Sequence, residues 1–204
     1  MTETLTENKI PLITLVGQPN SGKTTLFNYL SGKNYKTVNY PGSTVEYSIS
    51  KILSKFSVNA NILDSPGIIS LIPSSPDEKI SVDSLFYHPK FGKPDIVMVT
   101  VDASQLSRHL YLVKQLIDAN FNVVIILTML DILHKKGLEL SDNKLSSILG
   151  CKVVRIDGRN GKGVDELLKK LNDSMTEIKI NGDSEINFKK EKSKEKLLET
   201  YKHI

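Results

Sequence analysis

Between an apolar run, Ile10 to Val16, and a stretch with helical spacing, Thr24 to Ser31, the chain carries Gly17-Gln18-Pro19-Asn20-Ser21-Gly22-Lys23-Thr24. This matches G-x-x-x-x-G-K-[ST] at every fixed position, in the strand–loop–helix context that the motif requires. Glycines let the backbone wrap phosphate oxygens, and N–H groups at a helix start present positive partial charge to them. The Lys23 ammonium then reaches the β- and γ-phosphates, and the Thr24 hydroxyl completes the oxygen shell of a Mg²⁺ ion. The competing reading is a glycine-rich turn with an exposed lysine, and the flanking strand and helix weigh against it. The loop reads as a nucleoside triphosphate site.

The rest of the chain alternates strands with helices. Val45–Lys51 and Ser57–Leu63 show partial two-residue alternation around a short linker, which predicts an antiparallel hairpin. Asp95–Val101 and Asn122–Leu127 are β-branched apolar runs, the mark of strands buried on both faces. Between them, Leu110, Val113, Leu116 and Ile117 give Ser107–Ala119 a helical face. Asp77–Tyr87 reads as a helix, Lys152–Ile156 as the last strand, and Gly163–Leu171 as a closing helix. The expected fold class is α/β: a P-loop NTPase three-layer sandwich, mostly parallel, with one antiparallel edge hairpin and helices on both faces. Such sheets bind ligands at the carboxyl ends of their strands.

Three later motifs choose base and reaction. Asp64-Ser65-Pro66-Gly67 follows a strand, as the D-x-x-G of GTPases does; the Asp holds Mg²⁺ through water and the Gly N–H senses the γ-phosphate. Thr44, in the loop Pro41-Gly42-Ser43-Thr44, is placed to add a second hydroxyl to Mg²⁺, although a plain surface turn fits its spacing equally well. Thr128-Met129-Leu130-Asp131 stands where GTPases carry N-K-x-D. Its Asp accepts two hydrogen bonds from guanine N1–H and the N2 amino group, a donor pair that adenine lacks. Thr128 replaces the usual Asn, and Met129 replaces the Lys whose stem covers the base.

Composition narrows the partners. The 204 residues carry a net charge of +4, and the seven Lys of 179–204 are interleaved with five acids, so no basic stripe marks a nucleic-acid reader. No apolar run approaches the ~20 residues of a membrane span. The single Cys151 gives neither a disulfide framework nor metal-ligand spacing and reads as a packing residue. His88, His109 and His134 read as solvated, and Ser74-Ser75 as a mobile pair without chemistry. Met1–Lys9 is polar and unlike a targeting peptide.

Taken together, the motifs resemble the cytosolic GTPase domain of the bacterial ferrous iron transport protein B family (FeoB). The resemblance is carried by GQPNSGKTTLFNYLSG (17–32), VNYPGSTVEY (38–47), DSPGIISLIPSSPDEK (64–79), PDIVMVTVDASQLSRHLYLVKQLI (94–117), LTMLDILHKKG (127–137) and GRNGKGVDELL (158–168). It covers residues 10 to about 172. It implies a flexible N-terminus at 1–9, a GTP-binding domain at 10–178, and the start of a helical spacer at 179–204. It further implies a GTP- and GDP-binding switch at the cytoplasmic face of the inner membrane. Its partners would be the Fe²⁺-moving membrane domain of the same polypeptide and small cytosolic regulatory proteins; no nucleic acid is expected.

Carried over by residue, Gly17, Gln18, Pro19, Asn20, Ser21, Gly22, Lys23, Thr24 and Thr25 cradle the phosphates. Thr24 and Thr44 ligate Mg²⁺ directly and Asp64 does so through water, Gly67 reads the γ-phosphate, and Thr128 and Asp131 read guanine beside Met129. Asn20 aligns with the asparagine that helps hold K⁺ in potassium-stimulated members, where the ion offsets charge developing during transfer. Asn20, Lys23, Thr44 and Gly67 are therefore the catalytic candidates. Thr37–Tyr40 would be the switch loop donating carbonyls to K⁺, with Val38 where the family more often has Gly. Asp157-Gly158-Arg159 replaces the family's S-A-R; the Gly158 N–H would meet guanine O6, and Asp157 would add a carboxylate near the base that weakens affinity or speeds release. Ile68 stands where many small GTPases place a water-orienting Gln, so slow intrinsic turnover is expected. The alternatives are a soluble ribosome- or tRNA-associated GTPase and a non-hydrolysing guanine-nucleotide module.

Overall fold

The computed structural model describes residues 10–182, with side chains to 178; the expectations for 1–9 and for 183–204 lie outside the described residues. One seven-stranded sheet runs in the order β2-β3-β4-β1-β5-β6-β7. Its strands are β1 (Leu12–Gly17), β2 (Lys36–Asn39), β3 (Glu46–Lys51), β4 (Asn61–Asp64), β5 (Ile96–Asp102), β6 (Val123–Thr128) and β7 (Lys152–Arg155). Helices α1 (Lys23–Ser31), α2 (Pro76–Phe86), α3 (Leu106–Asp118), α4 (Leu130–Lys135), α5 (Asp142–Leu149) and α6 (Val164–Gly182) connect or follow them. The ladders among β4, β1, β5, β6 and β7 are parallel, while β3 runs antiparallel to both β2 and β4. This is the P-loop α/β sandwich that the alternating pattern predicts.

The central strands are buried residue by residue because helices cover both faces. Ile96 and Met98 of β5 pack with Leu26, Phe27 and Leu30 of α1 and with Val164, Leu167 and Leu171 of α6. Val97, Val99 and Val101 point the other way, onto Leu112, Val113 and Leu116 of α3 and Val82 and Leu85 of α2. Each such side chain stabilises the fold by about 2 kcal/mol, so truncating the fully buried Leu116 to Ala would open the α3 layer. A third, smaller cluster (Leu12, Tyr40, Val45, Tyr47 and Leu63) lies under the antiparallel edge.

Local chemistry ends the helices where the site needs them. α1 stops at Gly32, whose left-handed φ of 63° lets its N–H close on the Asn28 carbonyl. α2 starts with Ser75 as N-cap accepting from the Glu78 N–H, and Pro76 follows at the first turn. The antiparallel edge differs from expectation in one respect. Thr37–Asn39, expected within the switch loop Thr37–Tyr40, belong to a strand that pairs with β3 through the register Lys36↔Ile49 to Asn39↔Glu46. All four of its residues are exposed, so no alternation betrays it. α6 passes 178 without a break.

His88 and His109 are also corrected. Both are buried. His88 sits among the rings of Tyr40, Tyr47 and Phe91 at 5.5, 4.7 and 4.9 Å between centroids. His109 lies on the buried face of α3 with Nδ1 accepting the Asp102 N–H at 3.3 Å. Desolvation lowers the pKa of both imidazoles, for His88 to about 4. Of these three histidines, His134 is solvent-exposed as expected.

Candidate functional site

Parallel pairing places the carboxyl ends of β1, β4, β5, β6 and β7 along one edge, and nearly every predicted site residue lies there. The loop from Gly17 to Gly22 is held from beneath by buried bonds. Ser21 Oγ bonds Thr100 Oγ1 at 2.6 Å, and Thr100 Oγ1 in turn donates to the Val16 carbonyl at 3.3 Å. Gln18 Nε2 donates to the Arg108 carbonyl at 3.2 Å, which ties the loop to α3. Gly17 is a steric necessity: a Cβ there would lie 2.2 Å from Thr100 Oγ1. Gly22, at φ 87°, is the N-cap of α1 and supplies no side-chain cap, in contrast to the serines that cap α2 and α5. The orphan N–H groups of the first turn of α1 are thereby left for an anion.

Lys23 and Thr24 both engage Asp64. The ammonium forms an ion pair with Oδ1, and the Thr24 hydroxyl donates to Oδ2 at 3.0 Å. Lys23 and Asp64 are both nearly buried, at 11% and 9% side-chain exposure, so neither charge could stay there unpaired. The hydroxyl and carboxylate oxygens lie in contact, the hard-donor set that Mg²⁺ takes from a protein when phosphates supply further oxygens. Among the described residues no cluster of three or more His, Cys, Asp or Glu forms a closed metal cage. Gly67 packs against Pro19, where a Cβ would come within 3.0 Å of the ring. The Ile68 N–H donates to the Gly17 carbonyl at 3.0 Å, which locks the D-x-x-G loop to the phosphate loop. The Ile68 side chain is buried in the core.

Gln18, Pro19, Asn20, Gly22, Lys23, Thr24, Thr25 and Gly67 line a cavity of about 420 Å³, with Met129 at its far wall. Gly22, Thr25 and Met129 also line a second cavity of about 570 Å³, shared with Thr128, Asp131, Asp157, Gly158 and Arg159. The two adjoin at the start of α1, where they share these three residues. Met129 adopts a left-handed φ of 54° at the start of α4, which turns the chain between them. The second cavity also contains Leu130, His134, Arg155, Lys162 and Glu166, which the sequence motifs did not single out. A usable signal was the glycine spacing of 158–163. Gly163, at φ 89°, lies so close to the Arg155 carbonyl that a Cβ would sit 1.9 Å from its oxygen.

Three of the predicted site residues make other contacts in this structure. Thr44 is exposed and lines a separate cavity of about 710 Å³ with Asn39 to Ser43 and Asp77, away from Lys23 and Asp64. Thr128 is buried, and its hydroxyl donates to the Ser21 carbonyl at 2.8 Å, with Val101 O at 3.2 Å. The hydroxyl ties the base loop to the phosphate loop, while the residue also lines the cavity of Asp131. Asp157 does not present a free carboxylate. It accepts from Arg159 N at 3.1 Å, Arg159 Nε at 3.0 Å, Arg159 Nη2 at 3.3 Å and Asn160 Nδ2 at 3.0 Å. Those bonds, Arg159's first, pull its pKa below the ordinary carboxylate value.

The family model for ferrous iron transport protein B matches residues 12–171. The chain belongs to that family. It is 37% identical over 169 residues to the Fe(2+) transporter FeoB of Legionella pneumophila, covering 81% of this chain and 22% of the transporter. To that of Escherichia coli K12 it is 36% identical over 155 residues, covering 76% and 20%. The chain thus spans about a fifth of the length of these curated relatives. Among solved structures, the cytosolic domain of L. pneumophila FeoB superposes with a TM-score of 0.72 at 37% identity, covering 80% of this chain and 68% of that one. The cytosolic domain of T. maritima FeoB in a GDP form gives 0.73 at 33%, covering 80% and 62%. Among the described residues of this FeoB-family chain, no helix is long and apolar enough to cross a membrane.

Proposed function

We propose that residues 10–178 form a GTP-binding, slowly GTP-hydrolysing switch domain that regulates Fe²⁺ movement through a membrane domain of the same polypeptide, at the cytoplasmic face of the bacterial inner membrane. One observation carries the reading. A phosphate-type cavity lined by Lys23 and Thr24, both bonded to Asp64, adjoins a cavity bearing Asp131, and Gly22, Thr25 and Met129 line both. A nucleotide laid along α1 meets an ammonium and helix N–H groups at one end and a base-reading carboxylate at the other.

In this reading the Asp131 carboxylate, half exposed, accepts guanine N1–H and the N2 amino group. Gly158 follows the core at a close approach to Thr25, and its N–H meets O6. Lys23 neutralises the β- and γ-phosphates, and Gly67 N–H contacts the γ-phosphate. Mg²⁺, held by Thr24 with Asp64 behind it, would supply charge neutralisation between the phosphates. Thr44 joins only after its loop leaves the surface cavity, which makes it the moving part of the switch. Asn20, exposed at a left-handed φ of 65°, is the side chain available to K⁺. With Ile68 buried, no side chain from that position orients water, so turnover falls well below the ~1 s⁻¹ lower bound of typical enzymes.

Titration calorimetry in magnesium buffer tests this directly. GDP is expected to bind at least about 100-fold more tightly than ADP, and Asp131→Asn should shift preference from guanine to xanthine by exchanging an acceptor for a donor. Equal affinity for both purines overturns the reading. Single-turnover hydrolysis of GTP in KCl and in NaCl then tests the part given to Asn20.

A further inference from the structure

Two carboxylates on the rim of the base cavity compete for one guanidinium. Arg159 Nη2 lies 3.3 Å from Asp157 Oδ2 and 3.9 Å from Asp131 Oδ2, while Nε bonds Asp157 Oδ1 at 3.0 Å. We propose that Asp157 is a positioning residue for base recognition: it grips Arg159 and so keeps the Asp131 carboxylate open to guanine. The inference rests on Asp131 as the base reader.

Asp157 wins the competition by geometry. Nε and Nη2 form the planar fork that matches both oxygens of a carboxylate. The Arg159 backbone N–H and the Asn160 amide close on the same group, and the Asp157 backbone is itself pinned to Lys162 and Gly161 at 3.0 and 2.9 Å. Asp131 receives only the outer edge of the guanidinium. Remove Asp157, and Arg159 is free to turn its fork onto Asp131, where it occupies the lone pairs that guanine N1–H and the N2 amino group need. The sign is the informative part. If Asp157 were merely a negative charge beside an anionic ligand, deleting it would tighten binding. As the keeper of Arg159, its deletion weakens binding.

The experiment is GDP affinity of the full chain, read with a fluorescent GDP analogue, for wild type, Asp157→Ala, Asp157→Asn, Arg159→Ala and the double alanine variant. Asp157→Ala is expected to weaken GDP binding about three- to fivefold, and Asp157→Asn to move the same way by less. The deficit should shrink as salt rises, because the Arg159–Asp131 pair that causes it is exposed and screened. The double variant should bind GDP as Arg159→Ala does, whatever the affinity of that single variant. Tighter or unchanged binding by Asp157→Ala overturns the inference. So does a deficit that persists without Arg159, since that is what a merely distorted loop would give. A wild type that does not prefer GDP to ADP overturns the base reading and this inference with it, whereas guanine preference with the wrong sign at Asp157 overturns this inference alone.

Discussion

The floor of the cleft and the antiparallel edge are both assigned to the same phosphates, yet they are built on opposite plans. The floor, from Gly17 to Lys23, is fixed before any ligand arrives. Ser21 bonds Thr100 and Thr128 in the buried interior, Gln18 bonds the Arg108 carbonyl, and the preceding strand is buried along its whole length. The edge carrying Thr44 is the reverse. β2 is exposed throughout, and the 40–45 turn is held at its two ends, where the Tyr40 N–H donates to the Val45 carbonyl at 2.8 Å. Tyr40 and Val45 are buried; Pro41, Gly42 and Thr44 between them are exposed. A preformed floor binds without reorganisation, and a loop anchored at both ends can move its middle without losing its place.

The largest expected effect breaks the floor. Gly17→Ala puts a methyl within 2.2 Å of Thr100 Oγ1 and 2.9 Å of Ser21 Oγ, inside a network that cannot give way. It should cost about 3 kcal/mol of stability by overpacking, and GDP binding should disappear with the loop. The matched change on the edge is Gly42→Ala. Nothing lies within 4 Å of its Cβ, and only the φ of 75° is strained. About 1 kcal/mol is expected there, with GDP affinity intact. Thermal melts and GDP titrations of the two variants would refute the contrast if their losses were equal.

The next effect concerns the anchor of the edge. His88 is neutral, with Nδ1 accepting the Lys90 N–H at 3.1 Å, and its aromatic contacts to Tyr40 and Tyr47 hold the turn down. Burial, with Lys90 adding to it, lowers its pKa to about 4. An unfolded chain takes up a proton near pH 6.5, so between pH 6.5 and 4 the unfolded state binds more protons and folding stability falls as pH falls. From pH 7 to pH 5 this contributes a loss of up to about 2 kcal/mol. His109 is shifted the same way, so the informative quantity is the difference between wild type and His88→Phe. Urea midpoints should fall less for the variant over that range; parallel curves would show that His88 does not titrate as a buried group.

The contrast also explains what the sequence could announce. The floor was legible because its requirements are local: a glycine pair, a lysine and a hydroxyl at fixed spacing between an apolar run and a helix. The central strands were legible from their unbroken β-branched runs. β2 was not, because Lys36-Thr37-Val38-Asn39 owes its conformation wholly to β3, with Thr37 and Ser48 touching across the pair at 3.2 Å. α5 escaped for a similar reason, since Leu145 is its one buried residue. The burial of His88 depends on Tyr40 and Tyr47, more than forty positions away, and no local pattern encodes it. Asp157 is different again. Its partners lie two and three residues on, so its hydrogen bonds were within reach of the sequence, but its charge was read before its hydrogen-bonding reach.

The smallest effect sharpens the account of the floor. Thr128 stands where a base-loop Asn is usual, and its hydroxyl reaches across 107 residues to the Ser21 carbonyl. If that bond is its task, Thr128→Val leaves a buried carbonyl short of a donor at nearly constant volume, which costs about 1 kcal/mol. The loss should appear in stability and in affinity for GDP and for inorganic pyrophosphate alike, because the floor itself loosens. A residue that reads guanine would instead change the GDP-to-ADP ratio and leave the pyrophosphate response alone. Thr128→Ser keeps the hydroxyl and should restore both. The ratio is therefore the measurement that separates a strut of the phosphate loop from a reader of the base, and it is expected to stay put.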